Sequence, residues 1–181
     1  CNQMLRAAAV LGQEFDYPSL KAVGAFPDEA LDWVEGAVTH GILQESSEHF
    51  GLFEFRHHLI REVLLDELSS IRRTNLHRAA VEVLRAEGVT ERRGNMTTLP
   101  QHVLRAAPVM DPADAAHILL EAGTEASRGY AWQSAVAFLE PAWEMLTSAN
   151  EEVGALRVEV GTAYGSALMR VGRHMDAATI L

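Results

Sequence analysis

The chain has 181 residues, of which 48% are hydrophobic and 22% charged, so it can bury a core and is not disordered throughout. Its formal net charge of −10 disfavours binding to nucleic acid or anionic lipid over most of the surface. The only cysteine, Cys1, excludes an internal disulfide and a cysteine zinc cage. With no signal peptide and no apolar run of about 18 residues, the composition predicts a cytoplasmic protein without a membrane span.

Residues 1–55 have the pattern of three short helices followed by a β-hairpin. Apolar residues at helical spacing end at Gly12, and Pro18 and Pro27 open a second and a third helix. The predicted buried face of the third helix comprises Leu31, Val34 and Val38. Alternating residues in 50–55, after the apolar start of 42–44, predict a two-stranded hairpin. Three helices and a β-hairpin predict a winged-helix domain.

Two amphipathic helices are predicted after the hairpin. The first stripe comprises Ile60, Val63, Leu64 and Leu68. The second comprises Leu76, Ala79, Ala80, Val83 and Leu84. Ser69 and Ser70 separate the two stripes, and the polar residues 89–98 show no stripe. We therefore predict a winged-helix domain with trailing helices over residues 1–88 and a linker over 89–98.

Residues 99–181 have a helical pattern that repeats every 42 residues. The related pairs are Gly123 and Gly165, Arg128 and Arg170, Ala135 and Ala177, and Leu139 and Leu181. Small residues at fixed offsets let paired helices pack closely, as in a helical-hairpin solenoid. Pro141 is expected to kink or end the helix that carries the stripe Val136, Leu139, Trp143 and Leu146. Because no helix-stop signal precedes Leu181, we expect an incomplete array in a segment of a longer polypeptide.

Several segments together resemble a known family. They are residues 53–64, with Phe-Arg-His at 55–57, then Ser70–Arg73, Leu76–Arg78, the opening Leu5–Asp16 and Tyr130–Val136. They resemble the winged-helix and tetratricopeptide-like (TPR-like) region of STAND-type signalling ATPases, and in particular of the large ATP-binding LuxR-family bacterial transcription regulators. The resemblance implies a mainly α fold, an upstream P-loop ATPase module that binds ATP or ADP with Mg²⁺, and a downstream output domain that usually binds DNA.

The resemblance also implies a role for His57. In STAND proteins a histidine at this point contacts the phosphates of ADP, within a Met-His-Asp motif in plant and animal relatives. Here Arg56 stands in the methionine place and His58 in the aspartate place. His57 and Arg56 are therefore the predicted nucleotide-phosphate contacts in the full-length protein. The alternative is local: the His57 ring caps the following helix or binds a strand carbonyl. The sequence leaves both open.

The function implied is that of a regulatory middle segment. The winged helix would gate the nucleotide state, and the repeat arm would bind an effector or protein partner, so that opening permits nucleotide exchange and self-association. One alternative attaches the same segment to a nucleotide cyclase, and another makes the chain a repeat-based interaction scaffold. No G-x-x-x-x-G-K-[ST] motif, catalytic constellation or metal-ligand spacing occurs, so we expect no enzyme activity from this segment itself.

Three further features have two interpretations each. The third predicted helix carries acids and no lysine or arginine, which argues against DNA contact. The basic cluster comprises Arg72, Arg73, Arg78, Arg85, Arg92 and Arg93. We expect it to be a solvated helix face rather than a docking surface for the ATPase module. Tyr130, Trp132 and Trp143 either line an effector groove or, as is commoner at helical spacing, belong to the core.

Overall fold

The computed structural model describes residues 2–47, 49–86, 98–148 and 154–181. This part of the chain is mainly helical, with ten α-helices and one small three-stranded sheet. The chain divides into two compact units, Cys1–Val109 and Met110–Leu181, called unit 1 and unit 2 below. None of the helices in the described ranges is long and apolar enough to cross a membrane.

Unit 1 combines six of the helices with the sheet. In chain order its elements are α1 (Asn2–Leu11), β1 (Glu14–Asp16), α2 (Tyr17–Gly24), α3 (Ala30–Thr39), β2 (Leu43–Glu45), β3 (Leu52–Phe55), α4 (His58–Asp66), α5 (Ser70–Ala86) and α6 (Leu99–Ala106), with a 3-10 turn at Ala107–Val109. The three helices and the hairpin therefore occur in the order that the sequence predicts. Strand β1, between the first two helices, is an addition.

The sheet is antiparallel in the order β1-β3-β2. Phe15 of β1 lies opposite Phe53 of β3, and the two rings stack with centroids 6.2 Å apart. Phe55 lies 5.9 Å from Phe15 on the same buried face. The sequence did not predict β1, because its flanking residues Glu14 and Asp16 are acidic and only its central phenylalanine is apolar. Its pairing to β3 supplies the backbone hydrogen bonds that three residues cannot make alone.

The buried face of α3 differs from the predicted one. Ala30, Val34 and Ala37 are buried, whereas Leu31 is 38% exposed and Val38 is half-buried. The helix begins at Ala30 rather than directly after Pro27, and its small alanines lie against the core of unit 1. Alanines at helical spacing allow close packing, so they displace the larger Leu31 toward solvent.

The two helices after the hairpin confirm most of the predicted stripes. Leu64 and Leu68 are buried, while Val63 is 59% exposed. The helical segment is interrupted between Asp66 and Ser70, close to the predicted break at Ser69 and Ser70. Helix α5 buries Ala80 and Leu84. It also buries His77, which lies on the same face four residues after Arg73.

Helix α6 belongs to unit 1, because it packs along α5. The sequence-based boundary between residues 98 and 99 therefore lies before the structural boundary between Val109 and Met110. The predicted linker over 89–98 falls outside the described residues except for Thr98.

Unit 2 consists of two helical hairpins that repeat with the predicted period. Its helices are α7 (Pro112–Arg128), α8 (Trp132–Ser148), α9 (Gly154–Arg170) and α10 (His174–Ile180). The starts and ends of α7 and α9 are 42 residues apart, and so are the starts of α8 and α10. The turns correspond as well, since Tyr130 and Gly172, again 42 apart, both have positive φ.

Each hairpin is closed by the same glycine–leucine contact. A Cβ atom on Gly123 of α7 would lie 2.5 Å from Cγ of Leu139, and one on Gly165 of α9 would lie 2.6 Å from Cγ of Leu181. Both pairs belong to the repeat that the sequence predicts. The missing side chain of each glycine makes room for the leucine of the partner helix.

Pro141 does not end its helix. Helix α8 runs through it to Ser148, so of the two expected effects, a kink or an end of the helix, the end is not seen. Leu139, Ala142 and Leu146 on either side of the proline are fully buried, and Trp143 is half-buried. Their packing holds the segment helical although the proline cannot donate a backbone hydrogen bond.

Candidate functional site

The candidate site predicted from the sequence lies where β3 leads into α4. Phe55 ends the strand, His58 begins the helix, and His57 is the N-cap residue with extended backbone angles of φ −135° and ψ 127°. The N–H of Ile60 donates to the His57 carbonyl oxygen at 3.0 Å. The junction therefore sets His57 directly at the N-terminal end of α4, where the partial positive charge of the helix favours anions.

The His57 side chain has no hydrogen-bond partner among the described residues of unit 1. It is exposed, and it makes neither a capping hydrogen bond to α4 nor another hydrogen bond to a described residue. The local capping role that the sequence left open is therefore not seen. His58 is exposed beside it. An exposed imidazole that caps nothing remains available to a group outside this unit.

Arg56 is tied to the start of β2. Its backbone N–H donates to the carbonyl oxygen of Ile42 at 3.1 Å. Its Nη1 atom would lie 3.2 Å from a Cβ atom on Gly41, a residue with φ +71° that favours glycine. Arg56 and His57 are both exposed at the junction of β3 and α4.

A second group of cations, which sequence reasoning did not single out as a site, lines two adjoining cavities in unit 1. The cavities have volumes of about 300 and 450 Å³ and share Arg73, His77 and Arg105 as walls. Arg61 lines the larger cavity together with Gln101. These cations lie on α4, α5 and α6, so no local motif in the sequence indicates them.

The arginines around these cavities are held by backbone oxygens. Arg61 Nε donates to the carbonyl oxygen of Ala9 at 2.9 Å, and Arg73 Nη2 donates to that of Leu65. Arg73 also lies 3.7 Å from a carboxylate oxygen of Asp66, which is itself largely exposed. Within the described ranges Arg105 makes no hydrogen bond or ion pair. The three guanidinium groups are therefore only weakly neutralised by described acids.

His77, which lines both cavities, belongs to a pair of buried histidines. The Nδ1 atoms of His77 and His102 lie 2.9 Å apart, and both residues are buried. Burial, the nearby His102 and the arginines Arg105, Arg73 and Arg61 together lower the pKa of His77 from its usual 6.5 to about 3, with burial as the largest cause. Burial also lowers the pKa of Arg61, an effect that Glu62 opposes and Arg105 reinforces. Arg105 therefore lowers the pKa of both His77 and Arg61, as expected for cationic groups placed close together.

The remaining arginines of the basic cluster are arranged as a solvated face. Arg72, Arg78 and Arg85 are exposed, and Arg78 pairs with Glu82 at 3.3 Å one turn along α5. Arg73 is the exception, since it is half-buried at the cavities. Arg92 and Arg93 lie outside the described residues.

In unit 2 the predicted aromatic residues are not all core. Tyr130 is 79% exposed, and its ring meets Trp132 edge-on with centroids 5.8 Å apart. The guanidinium carbon of Arg170 lies 5.4 Å from the centre of the Trp132 ring, a cation–π contact. Trp143 is half-buried above Gly161 of α9. The turn between α7 and α8 therefore presents an aromatic and cationic surface.

The described part of the chain contains no cluster of three histidine, cysteine or acidic residues that could bind a metal ion. Comparison with known proteins adds no assignment. No protein-family model matches the chain, and neither a curated protein nor a solved structure matches it significantly.

Proposed function

We propose that the chain is the regulatory middle segment of an ATP-dependent, cytoplasmic STAND-type transcription regulator of the LuxR kind. In this proposal unit 1 is a winged-helix domain and unit 2 a TPR-like repeat arm. The order α1-β1-α2-α3-β2-β3 supports the first assignment, because a winged helix likewise pairs its first strand with a C-terminal hairpin. The P-loop, Mg²⁺ and hydrolysis of ATP would belong to an upstream module, and this segment would not hydrolyse ATP itself.

The observation that carries the proposal is the position of His57. It is exposed, uncapped and placed at the N-terminus of α4, next to Arg56. An imidazole N–H and a guanidinium at a helix N-terminus suit the phosphates of ADP bound by the neighbouring module. The contact would stabilise a closed, resting state. A shift toward the open state would release it and permit nucleotide exchange and self-association.

The exposed face of α3 supports a signalling role for the winged helix rather than a DNA-binding one. Asp32 and Glu35 are exposed on it, and Asp28 and Glu29 are exposed just before it. Lys21 pairs with Asp28 and neutralises only one of these acids. A face of this charge repels the phosphate backbone. Any DNA contact of the longer protein would belong to its output domain.

The repeat arm is the proposed site of the effector or partner protein. Its 42-residue period exceeds the 34 residues usual for TPR motifs, and its complete helices have 17 residues. The Tyr130–Trp132–Arg170 surface lies at the turn of a hairpin, where repeat proteins offer side chains for recognition.

The test begins with the gene. The flanking sequence should encode a P-loop module upstream and a helix-turn-helix domain downstream. A cyclase domain upstream would favour the alternative parent, and the absence of any nucleotide-binding module would refute the proposal.

In the full-length protein, His57→Ala should weaken ADP retention by about tenfold or more, as expected for loss of a charge-assisted hydrogen bond. His58→Ala, at an equally exposed neighbour, is the matched control. Equal ADP retention in the wild type and His57→Ala would overturn the sensor role.

A second candidate function is a repeat-based interaction scaffold without nucleotide control. The regular helical hairpins of unit 2 favour it, because such arrays usually bind proteins. This function would be supported if His57→Ala retained full activity of the longer protein while Tyr130→Ala and Trp132→Ala abolished binding of its partner.

A further inference from the structure

We propose that the two adjoining cavities between α4, α5 and α6 form a binding site for a small molecule that carries a phosphate group. The site is defined by Arg61, Arg73, Arg105 and His77. It is separate from His57, and it requires no other module, since all of its residues lie in unit 1. The proposal therefore stands whether or not the chain belongs to a STAND ATPase.

The arginines around the cavities offer N–H donors to a phosphate group. A guanidinium group has five N–H donors in a planar arrangement that matches phosphate oxygens. Arg61 and Arg73 each use one N–H on a backbone carbonyl, which orients the group and leaves the others. Arg73 Nε is buried and has no hydrogen-bond partner among the described residues. Such an atom in a polar cavity is expected to find a partner in a ligand or in water.

The positive charge of the residues that line the cavities favours an anion. Three guanidinium groups line connected cavities in a chain whose formal net charge is −10. Among the described residues Asp66 is the only acid that lines them, and its Oδ1 atom lies 3.7 Å from Nη2 of Arg73. Like charges placed together destabilise a folded protein unless an anion compensates them. The phosphate dianion offers more charge and more acceptor oxygens than a single carboxylate.

The size and the lining of the two cavities suit a small organic molecule. Volumes of about 300 and 450 Å³ exceed the space of an inorganic ion and lie within the range of small-molecule sites. Val10, Leu65 and Leu104 give the larger cavity an apolar side, and Gln101 adds an amide. An apolar side next to a cationic one fits a phosphate ester with a small organic group better than it fits free phosphate.

The test uses the whole chain and three probes at constant ionic strength: inorganic phosphate, glycerol 3-phosphate and malonate. Binding is measured by calorimetry and by the chemical shifts of backbone amides. We expect glycerol 3-phosphate to bind more tightly than phosphate, and both more tightly than malonate, with the largest shifts in α4–α6. Tighter binding of malonate would overturn the phosphate assignment, and absence of binding by all probes would overturn the site. Tighter binding of phosphate than of its ester would contradict the role of the apolar side.

Arg105→Gln is the decisive variant, because Arg105 is exposed and makes no hydrogen bond or ion pair with a described residue. We expect it to weaken phosphate binding about tenfold or more. Arg72→Gln removes the same charge from an exposed position on α5 and should change the affinity by less than about twofold. Equal effects of the two variants would indicate non-specific attraction and overturn the site. Circular dichroism of each variant checks that it is folded.

Discussion

At the scale of single residues, the His77–His102 pair constrains protonation in unit 1. Their Nδ1 atoms share one hydrogen bond, so one ring carries its proton on Nδ1 while the other accepts there. The ring that accepts is then neutral. A proton added to the accepting nitrogen would break the bond and place a charge beside three arginines, which agrees with the direction of the His77 pKa shift.

We predict that this pair makes unit 1 sensitive to acid. The pKa of His77 is about 3 in the folded chain and about 6.5 in the unfolded chain. As the pH falls, the unfolded chain therefore takes up the proton before the folded chain does. The free energy of unfolding is therefore not reduced by His77 above pH 6.5, and it falls as the pH drops from 6.5 toward 3. The loss amounts to at most about 1.4 kcal/mol per pH unit. Urea unfolding between pH 7.5 and 4 should show a steeper loss for the wild type than for the double variant His77→Leu/His102→Leu. Equal slopes would contradict the prediction, and His40→Leu, at an exposed histidine, is the control.

The same pair should be strongly non-additive. His102→Leu leaves the buried Nδ1 atom of His77 without its partner, which costs about 1–3 kcal/mol. Adding His77→Leu removes the remaining polar ring, so the double variant should be less destabilised than the two single variants predict together. A double-mutant cycle from urea unfolding at pH 7.5 measures the coupling. Strict additivity would show that the hydrogen bond contributes nothing.

Tyr130 has a backbone conformation that its side chain disfavours. Its φ is 60°, and the equivalent residue of the next hairpin is Gly172 with φ 82°. Glycine adopts this region freely, whereas other L-residues lose about 1 kcal/mol there. We therefore expect Tyr130→Gly to raise the free energy of unfolding by about 0.5–1 kcal/mol, and Tyr130→Ala to lower it. Chemical denaturation compares them. A less stable Tyr130→Gly variant would mean that the contact with Trp132 outweighs the backbone strain.

At the scale of elements, the packing of each hairpin of unit 2 depends on a glycine, but the two glycines differ in what surrounds them. Leu139 over Gly123 is fully buried, whereas Leu181 over Gly165 is 72% exposed. An alanine at Gly123 would force the buried leucine to move, which costs about 1–3 kcal/mol. An alanine at Gly165 would displace only the exposed side chain of Leu181. The gain in helix propensity of up to about 1 kcal/mol then offsets the cost of that displacement.

We predict that Gly123→Ala lowers the midpoint of thermal unfolding of unit 2 and that Gly165→Ala leaves it within error. Gly36→Ala is the control for propensity alone, since a Cβ atom there meets nothing within 4 Å and should stabilise α3. Circular dichroism melts of the three variants test the prediction. It would be contradicted if Gly123→Ala were as stable as the wild type.

How far the sequence predicts these elements depends on the range of the interactions. Helices α4, α5 and α7–α10 follow from stripes and from the repeat, which are local signals. Strand β1 does not, because it exists only through pairing with β3, a partner distant in sequence. Pro141 does not end α8, because the packing of its neighbours outweighs the local preference. At the site, adjacency was enough to bring Arg56 and His57 together, but not to show that His57 is uncapped.

At the scale of the whole molecule, the formal net charge hides an uneven distribution. The chain carries −10, yet Arg61, Arg73 and Arg105 meet around the cavities of unit 1. They come from three helices, so composition and spacing could not predict their proximity. Conversely, the acids at α3 lie together along the sequence, and their common exposed face was predictable. The charge of each local surface therefore differs from what the total charge suggests.

The last prediction separates local from total charge. If α3 has the position of a recognition helix, its acids should be what prevents DNA contact. The double variant Asp32→Lys/Glu35→Lys raises the formal net charge by four, from −10 to −6. We expect it to gain weak binding to random duplex DNA, with a dissociation constant of roughly 10⁻⁴ M that rises steeply with salt.

The control for that variant is Glu144→Lys/Glu159→Lys, which has the same net charge but places the lysines at exposed positions of unit 2. It should not bind, and neither should the wild type. Fluorescence anisotropy with a labelled duplex at 50 and 150 mM salt measures all three. Binding by both double variants would show that total charge alone decides. Binding by the wild type would overturn the assignment of α3 as a face that excludes DNA, because its acids would then not prevent contact with the phosphate backbone.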